Sequence, residues 1–329
     1  MRLFQSLAEA RFDGPTVLAI GTFDGLHRGH QALVRELIAS ARKLQARSAV
    51  IAFHPRPKTV LAPHLPNNDY LTTAAERIAL FEELELDVLV LTPFTLELAQ
   101  TSAHDFVRPV VENLNVVQFC VGHDFALGKN REGNVAKLTE LGHEFNYSLR
   151  EIEPFLLNGK IVSSTKVRQH LLAGDVRPAS QLLGRYPSLS GHIVRGAQRG
   201  RTIGFPTANF FVPPERLVPA NGVYATFIRR SGHGTRLSSV TNIGLRPSFG
   251  DDALTVETYI FDFDEDIYGQ TFSLEFVERL RPEKKFDGVD SLVTQITRDA
   301  ERARIVLAAE VVPADQKISP RLIDNKLEN

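Results

Sequence analysis

Gly21-Thr22-Phe23-Asp24-Gly25-Leu26-His27-Arg28-Gly29-His30 decides how the first half of this chain is read. Before it stands Val17-Leu18-Ala19-Ile20, a short apolar run with the length of a buried strand. After it, residues 30–45 place Leu33, Leu37, Ala41 and Leu44 on one helical face, with Arg35, Glu36 and Arg42 elsewhere. A glycine-rich turn between a strand and a helix lies at the carboxyl edge of an open parallel sheet, where ligands bind. Glycine lets the backbone approach a ligand closely. The helix start offers unpaired N–H groups and partial positive charge, which suit phosphate. His27 and His30, three residues apart, can face one side of that start and donate hydrogen bonds to a phosphorus centre gaining negative charge.

The same alternation continues outward. Val50 to Phe53, Val88 to Leu91 and Val116 to Val121 read as strands, and residues 73–85, 103–114 and 165–173 as helices. This predicts an α/β domain, a parallel sheet with helices on both faces, over residues 1–186. After Tyr186-Pro187 the pattern changes to strands and turns: His192 to Val194, Val223 to Ile228, Ser238 to Ile243, Val256 to Phe261 and Phe272 to Phe276. Pro213-Pro214 and Arg246-Pro247-Ser248-Phe249-Gly250 punctuate them. A small antiparallel β-barrel is expected over residues 187–312. It closes with a helix from about Val289 to Leu307, periodic in Leu292, Ile296, Ala300 and Ala303, before a polar tail, 313–329.

Composition narrows the function classes. The 329 residues carry a formal net charge of −1, so no global field draws the chain to nucleic acid or an anionic membrane. No run approaches the ~18 apolar residues of a membrane helix. The first residues lack a secretory signal pattern. Cys120 is the single cysteine and sits in an apolar strand pattern, which excludes an intrachain disulfide and reads as a buried side chain. The expected location is the cytoplasm.

The chemistry of the first half is that of an anion cradle. Downstream of the opening stretch, Ser163-Ser164-Thr165-Lys166-Val167-Arg168 begins a predicted helix with hydroxyls and a guanidinium able to grip a triphosphate in a bidentate manner. Gly122 to Asn130 looks like a P-loop but fails as one. Five residues separate its glycines, and Asn130 stands where Ser or Thr would be needed. The opening stretch resembles the H-x-G-H signature of nucleotidyltransferases. In its longer form, with the 163–168 block, it is similar to the bacterial bifunctional riboflavin kinase/FAD synthetase family. Phe53-His54-Pro55-Arg56-Pro57 matches that family's F-x-P-x-P loop, and Val121 to Gly133 its G-x-D-F-x-F-G-x-x-R-x-G block, departing at Ala126 and Leu127. The resemblance implies a Rossmann-like domain with ATP on Gly21, Thr22, Phe23, Asp24, Gly25, His27, His30, Ser163, Ser164, Thr165 and Arg168. His27, His30 and Arg168 would be catalytic, and Asp124 and Arg131 would lie on the FMN side.

In the second half, Gly200-Arg201-Thr202-Ile203-Gly204-Phe205-Pro206-Thr207-Ala208-Asn209 offers a phosphate-wrapping turn. If its end is extended, a hydroxyl and an amide share one side, both hard oxygen ligands of the kind Mg²⁺ accepts. Glu257 lies between apolar residues of a strand pattern, as a solvent-facing position or as a general base. G-R-x-x-G-x-P-T-A-N, then Glu257-Thr258 with Glu265-Asp266-Ile267-Tyr268-Gly269, then Leu280 to Asp287 resemble the riboflavin kinase family in order and spacing. That resemblance implies ATP on Gly200, Arg201, Gly204, Thr207 and Asn209, and Mg²⁺ on Thr207 and Asn209. It implies Glu257 as base on the ribityl 5′-hydroxyl, with Arg281 and Phe286 covering the flavin. Asn221 to Tyr224 and Thr241 to Gly244 would shape the nucleotide side.

The expected partners are riboflavin, FMN and ATP, with FAD as product. The competing readings are a nucleotidyltransferase with an unrelated barrel, an RNA-binding protein, and a flavin store without turnover. Near-neutral charge and the lack of aromatic-basic interleaving speak against the second. The acidic run Asp262, Asp264, Glu265 and Asp266 reads as a turn between strands rather than a cation site. Arg177, Arg185, Arg195, Arg199 and Arg201 read as local phosphate partners or solvated groups.

Overall fold

The computed structural model describes residues 1–196, 199–231, 235–247 and 252–310. Its first half is a six-stranded, all-parallel sheet: β1 (Arg2–Phe4), β2 (Thr16–Gly21), β3 (Arg47–Phe53), β4 (Val88–Thr92), β5 (Val116–Gly122) and β6 (Ser148–Ile152). The spatial order is β1-β4-β3-β2-β5-β6. Its helices of eight residues or more are α1 (Arg28–Lys43), α2 (Ala74–Glu83), α3 (Ala103–Leu114), α4 (Val135–Phe145), α5 (Ser164–Ala173) and α6 (Val176–Leu183), with short helices at Pro57–Leu61 and Leu96–Gln100.

Both sheet faces are covered, which is why its inner strands read as unbroken apolar runs. Val17 and Ala19 pack on one side with Val34, Leu37, Ile38 and Ala41 of α1. Leu18 and Ile20 pack on the other with Phe106, Val107 and Val110 of α3. The buried stripe of α1 is therefore Val34-Leu37-Ile38-Ala41. The expected Leu33 is only partly buried, and Leu44 caps the helix end at 44% exposure. Two strands carry little pattern: β1 is three residues long, and β6 exposes Ser148, Arg150 and Glu151 at a sheet edge. Two helices outside the expected set do carry a buried apolar stripe: Leu138 and Leu141 on α4, and Val176, Ala179, Leu182 and Leu183 on α6.

The second half is a closed antiparallel barrel of β7 (Ser188–Val194), β8 (Ala208–Phe211), β9 (Gly222–Arg230), β10 (Arg236–Pro247), β11 (Asp252–Ile260) and β12 (Thr271–Arg281). Strand β8 begins at Ala208 within the P-T-A-N motif, so its Ala208-Asn209 end is extended. Side chains alternate in and out. Tyr224 and Ile228 fill the interior, while Val223, Ala225 and Phe227 pack outward beneath the last helix, α7 (Val289–Ala309), against Ala300, Ala303 and Leu307. Four buried hydroxyls satisfy one another inside: Thr226 with Ser239 at 2.8 Å, Thr226 with Thr241 at 2.7 Å and Thr241 with Thr258 at 2.9 Å. Residues 248–250 of the expected turn and the polar tail lie outside the described residues.

The two halves share one apolar core. Leu71, Val167, Leu171, Ala179, Leu182 and Leu183 join Leu189, Leu217 and Phe276 of the barrel in a single cluster. A void of only about 20 Å³ remains between them. Leu171→Ala is expected to cost about 2–5 kcal/mol through the cavity it leaves. Calorimetry should show both halves losing stability together. A single displaced transition beside an unmoved one would contradict a shared core.

Candidate active sites

The chain order reverses between β2 and β5, and a cleft of about 770 Å³ opens there at the carboxyl ends of the strands. Gly21, Thr22, Phe23 and Asp24 after β2, and Asp124 to Arg131 after β5, line it together with His30, Ser164 and Arg168. Among its lining groups Arg56, Lys58, Lys129, Arg131 and Arg168 outnumber Asp24 and Asp124, so the cleft suits a polyanion. Its other wall is apolar, with Phe53, Leu61, Phe94, Leu98, Phe106, Phe125 and Leu127. Arg131 donates to the Asp124 carbonyl at 3.0 Å, which ties the 124–131 loop to itself.

The starts of α1 and α5 lie side by side, since a Cβ on Gly29 would stand 3.5 Å from the Val162 carbonyl oxygen. Ser164 Oγ donates to the Asp24 carbonyl at 2.9 Å. Asp24 itself is 2% exposed, and its carboxylate is fully engaged. It accepts from the backbone of Leu71 at 3.1 Å and Thr72 at 3.1 Å, from the Thr72 hydroxyl, from Arg56 at 3.1 Å and from Arg168. Asp69 holds the same two guanidiniums from the far side, and its carbonyl accepts from Arg168 Nε at 2.8 Å. Asp24 thus borders the cleft by presenting Arg56 and Arg168 to it. Gly25, at φ +79°, has Leu71 so close that a Cβ would stand 2.7 Å from a leucine methyl.

The two histidines differ in position. His27 caps α1, its Nδ1 accepting from the His30 amide at 3.3 Å, and its ring stacks behind His30 at 3.7 Å. A neutral His27 therefore carries its proton on Nε2. His30 reaches the cleft, while its Nδ1 is buried without a hydrogen-bond partner among the described residues. Burial, and then the Arg185 guanidinium, push the His27 pKa down to about 4. Burial, with His27 next in weight, holds His30 well below the usual histidine range. Both rings are neutral at physiological pH, so each has one N–H able to donate a hydrogen bond. Ser163 serves as the cap of α5, accepting from Lys166, and Thr165 faces solvent outside the cleft.

On the barrel, Asn209 of β8, Glu257 of β11 and Asn242 of β10 pair in register, forming one row across three adjacent strands. The row lies on the outer face, because its neighbours Ala208, Val256 and Ile243 point inward. Thr207 directly precedes β8, and a Cβ on Gly200 would stand 3.4 Å from its hydroxyl. The turn Arg199–Thr202 leads to it, with Gly200, Arg201 and Gly204 around it and Arg201 and Gly204 exposed. A Cβ on Gly196 would lie 2.5 Å from the Asn209 amide, so glycine there leaves the amide room. At the end of β12, Arg281 makes a bidentate pair with Asp299 of α7, Nε to Oδ1 at 3.1 Å and Nη2 to Oδ2 at 2.8 Å, and stands 5.7 Å over Phe286. Glu283 of the same loop accepts from Asn221 at 3.4 Å.

Several residues that build these sites carry no sequence signal. Arg77 reads as a surface charge on α2, yet it is fully buried and donates to the carbonyls of Thr22 at 2.7 Å and Phe53 at 3.0 Å. Asp69 and Thr72 sit in a plain polar loop. Only the F-x-P-x-P match pointed near Arg56. The acidic run has its own partners: Asp262 pairs with Arg304 and Glu265 with Arg230, and no group of three or more acidic, histidine or cysteine residues is placed to hold a metal among the described residues. The arginines expected to act alike are dispersed. Arg177 pairs with Glu278 and Glu310, Arg185 donates to the Gly25 and Leu26 carbonyls, Arg195 lies over Tyr268, and the Arg199 side chain falls outside the described residues. Cys120 is buried as expected, and burial pushes its thiol up to about 12.

An open α/β domain with a polyanion cleft at its switch point, joined to a barrel bearing a carboxylate between two amides, defines a two-site nucleotide-handling protein. Residues 9–166 match the FAD synthetase family and residues 183–307 the riboflavin kinase family. The chain is 34% identical over 293 residues to the bifunctional riboflavin kinase/FMN adenylyltransferase of Listeria monocytogenes, covering 89% of this chain and 92% of that protein. To the protein of that name from Escherichia coli K12 it is 35% identical over 306 residues, covering 92% and 96%. A crystal structure named as a macrolide-efflux protein from Streptococcus pneumoniae superposes with a TM-score of 0.84 at 30% identity, covering 92% of this chain and 98% of that one. Among the described residues no helix is long and apolar enough to cross a membrane. The chain belongs to the bifunctional riboflavin kinase/FMN adenylyltransferase family.

The buried neutral His27 couples stability to pH. Its folded pKa lies below the unfolded value of 6.5, so the unfolded chain binds more protons between pH 6.5 and about 4. Stability is complete above pH 6.5 and declines as pH falls towards 4, by up to roughly 3 kcal/mol from this group. Urea midpoints at pH 7 and pH 5 should differ less for His27→Gln than for the parent. An equal difference would show that His27 is not held neutral.

Proposed function

We infer that this chain makes flavin nucleotides in two ATP-dependent steps, riboflavin to FMN on the barrel and FMN to FAD in the cleft of the α/β domain. What carries this reading is that each half has its own phosphate-suited site, built differently. The division is drawn at residues 1–186 for the adenylyltransferase domain and 187–312 for the kinase domain.

On the barrel, Glu257 takes the proton of the ribityl 5′-hydroxyl as that oxygen attacks the γ-phosphorus of ATP. The bond to the β-phosphate oxygen breaks, releasing ADP and FMN. Thr207, just ahead of β8, and Asn209 within it offer a hydroxyl and an amide oxygen, and the glycine at 196 leaves room beside the amide. This donor set fits Mg²⁺, which Thr207 and Asn209 would hold and which, when bound, neutralises charge on the transferring phosphate. Gly200, Arg201 and Gly204 wrap the phosphates. Arg281, fixed by Asp299, and Phe286 cover the flavin.

In the cleft, a phosphate oxygen of FMN attacks the α-phosphorus of the second ATP, and pyrophosphate leaves. A phosphate dianion is a nucleophile at neutral pH, so no strong base is required. The site supplies donors and positive charge: His30 with His27 behind it and Arg168, together with Arg56, while Ser164 holds the Asp24 carbonyl at the edge of the cleft. The α1 and α5 starts add backbone N–H groups. The ATP phosphates lie along Gly21 to Asp24. The flavin side runs along Asp124 and Arg131 and the apolar wall. A cytoplasmic location belongs to the same reading, since the single buried cysteine calls for no oxidising compartment.

Asn209→Ala should lower FMN formation from riboflavin by about a hundredfold or more while supplied FMN is still converted to FAD. His30→Ala should do the reverse, with a loss of about 10²-fold or more in FAD formation alone. Chromatographic separation of the flavins formed with Mg·ATP reads both. Equal loss of both reactions in either folded variant would overturn the assignment of separate sites.

A further inference from the structure

We propose that Arg216, carried by the barrel, is a positioning residue for FMN adenylylation in the other domain, acting through Tyr70 on Arg56 and Arg168. The proposal rests on the reading of the α/β cleft given above.

Residues 69–72 form a strap with two faces. On one face they build the arginine pair of the cleft. Asp69 holds Arg56 and Arg168 through its carboxylate and carbonyl. The Tyr70 ring lies 3.9 Å beneath the Arg56 guanidinium, and the Tyr70 hydroxyl accepts from the Arg56 amide at 2.9 Å. Leu71 and Thr72 donate their amides to Asp24. On the other face the strap is tied to the barrel domain. The Tyr70 amide donates to the Glu215 carbonyl at 3.0 Å, and its carbonyl accepts from the Leu217 amide at 2.9 Å and from Arg216 Nη1 at 2.6 Å.

The strap has no helix or strand of its own to hold it. Tyr70 is 2% exposed, so its main-chain groups need the partners that the barrel supplies. Arg216, 4% exposed, does more than close one hydrogen bond. Its Nη2 donates to the Ser188 carbonyl at 2.7 Å, at the start of β7, and pairs with Glu76 at 3.4 Å. Glu76 in turn accepts from the Ser190 amide at 3.2 Å and from the Thr73 amide, which begins α2. One guanidinium thus joins the first barrel strand, the strap and the start of α2. The planar fork reaches two carbonyls at once, which a lysine ammonium on a flexible stem does less well. A shift of the strap moves Asp69 and Tyr70, and with them both guanidiniums. None of these contacts involves the kinase row of Asn209, Glu257 and Asn242.

The test uses the full chain and measures both reactions, FAD formation from FMN and ATP, and FMN formation from riboflavin and ATP. Arg216→Ala should lower kcat/KM for adenylylation about tenfold or more, chiefly through a raised KM for ATP, with riboflavin phosphorylation unchanged. Arg216→Lys should recover part of the loss. Tyr70→Phe keeps the ring and the main chain but removes the acceptor for Arg56, and should raise the same KM about fivefold. Parallel loss of both reactions, or parent-like adenylylation in the folded alanine variant, would overturn the proposal. Should Arg216→Ala not fold, parent-like adenylylation in both Arg216→Lys and Tyr70→Phe overturns it. Arg168→Ala separates the two levels. If it leaves adenylylation intact, the cleft reading fails. If it abolishes adenylylation while the Arg216 and Tyr70 variants match the parent, only the positioning role fails.

Discussion

Asp24 is a carboxylate at 2% exposure that accepts from two backbone amides, a hydroxyl and two arginines. A charge buried this deeply is tolerated only when its partners are complete. Satisfying Asp24 therefore fixes several things at once: the turn after β2, the strap 69–72, and the guanidiniums of Arg56 and Arg168. The strap reaches the barrel, so the same charge sets the relation between the first site and the second domain. The shared apolar core of α5, α6 and the barrel stiffens that relation from behind.

The two sites solve the problem of phosphate chemistry in opposite ways. The cleft keeps its imidazoles neutral by burying them beside arginines, and in the proposed reading the substrate's own phosphate is the nucleophile. The barrel carries a carboxylate between two amides in one row on its outer wall, the group that the proposed reading makes the base for an alcohol. A closed small barrel has its interior filled, here by Tyr224, Ile228, Ile243 and a chain of hydroxyls, so a substrate site must lie on its outside.

Much of this was legible along the chain. The strand-turn-helix around Gly21 to His30 placed the first site, because a parallel strand flanked by helices has one functional end. The break after Pro187 announced the barrel, and Asn209 falls in a strand, β8, as the extended reading of that motif expected. Less was legible where charge carries the structure. Arg77 and Arg216 look like surface residues by type and spacing, and only their burial against carbonyls of distant loops reveals their work. Asp24 reads as a ligand-facing carboxylate in its motif, yet its partners come from positions 47, 48, 32 and 144 residues away.

The sequence by itself determined the two fold classes, their order along the chain and the stretches proposed as sites, since periodicity and turn chemistry are local properties. It also determined the family, through motifs whose spacing is fixed by strand-helix junctions. The tertiary structure alone decided which histidine faces the cleft, that Asn209, Glu257 and Asn242 line up in one row across three strands, and that the domains meet through Tyr70 and Arg216. Those are matters of long-range register and burial, where the free energy of a charge depends on partners that no local window contains.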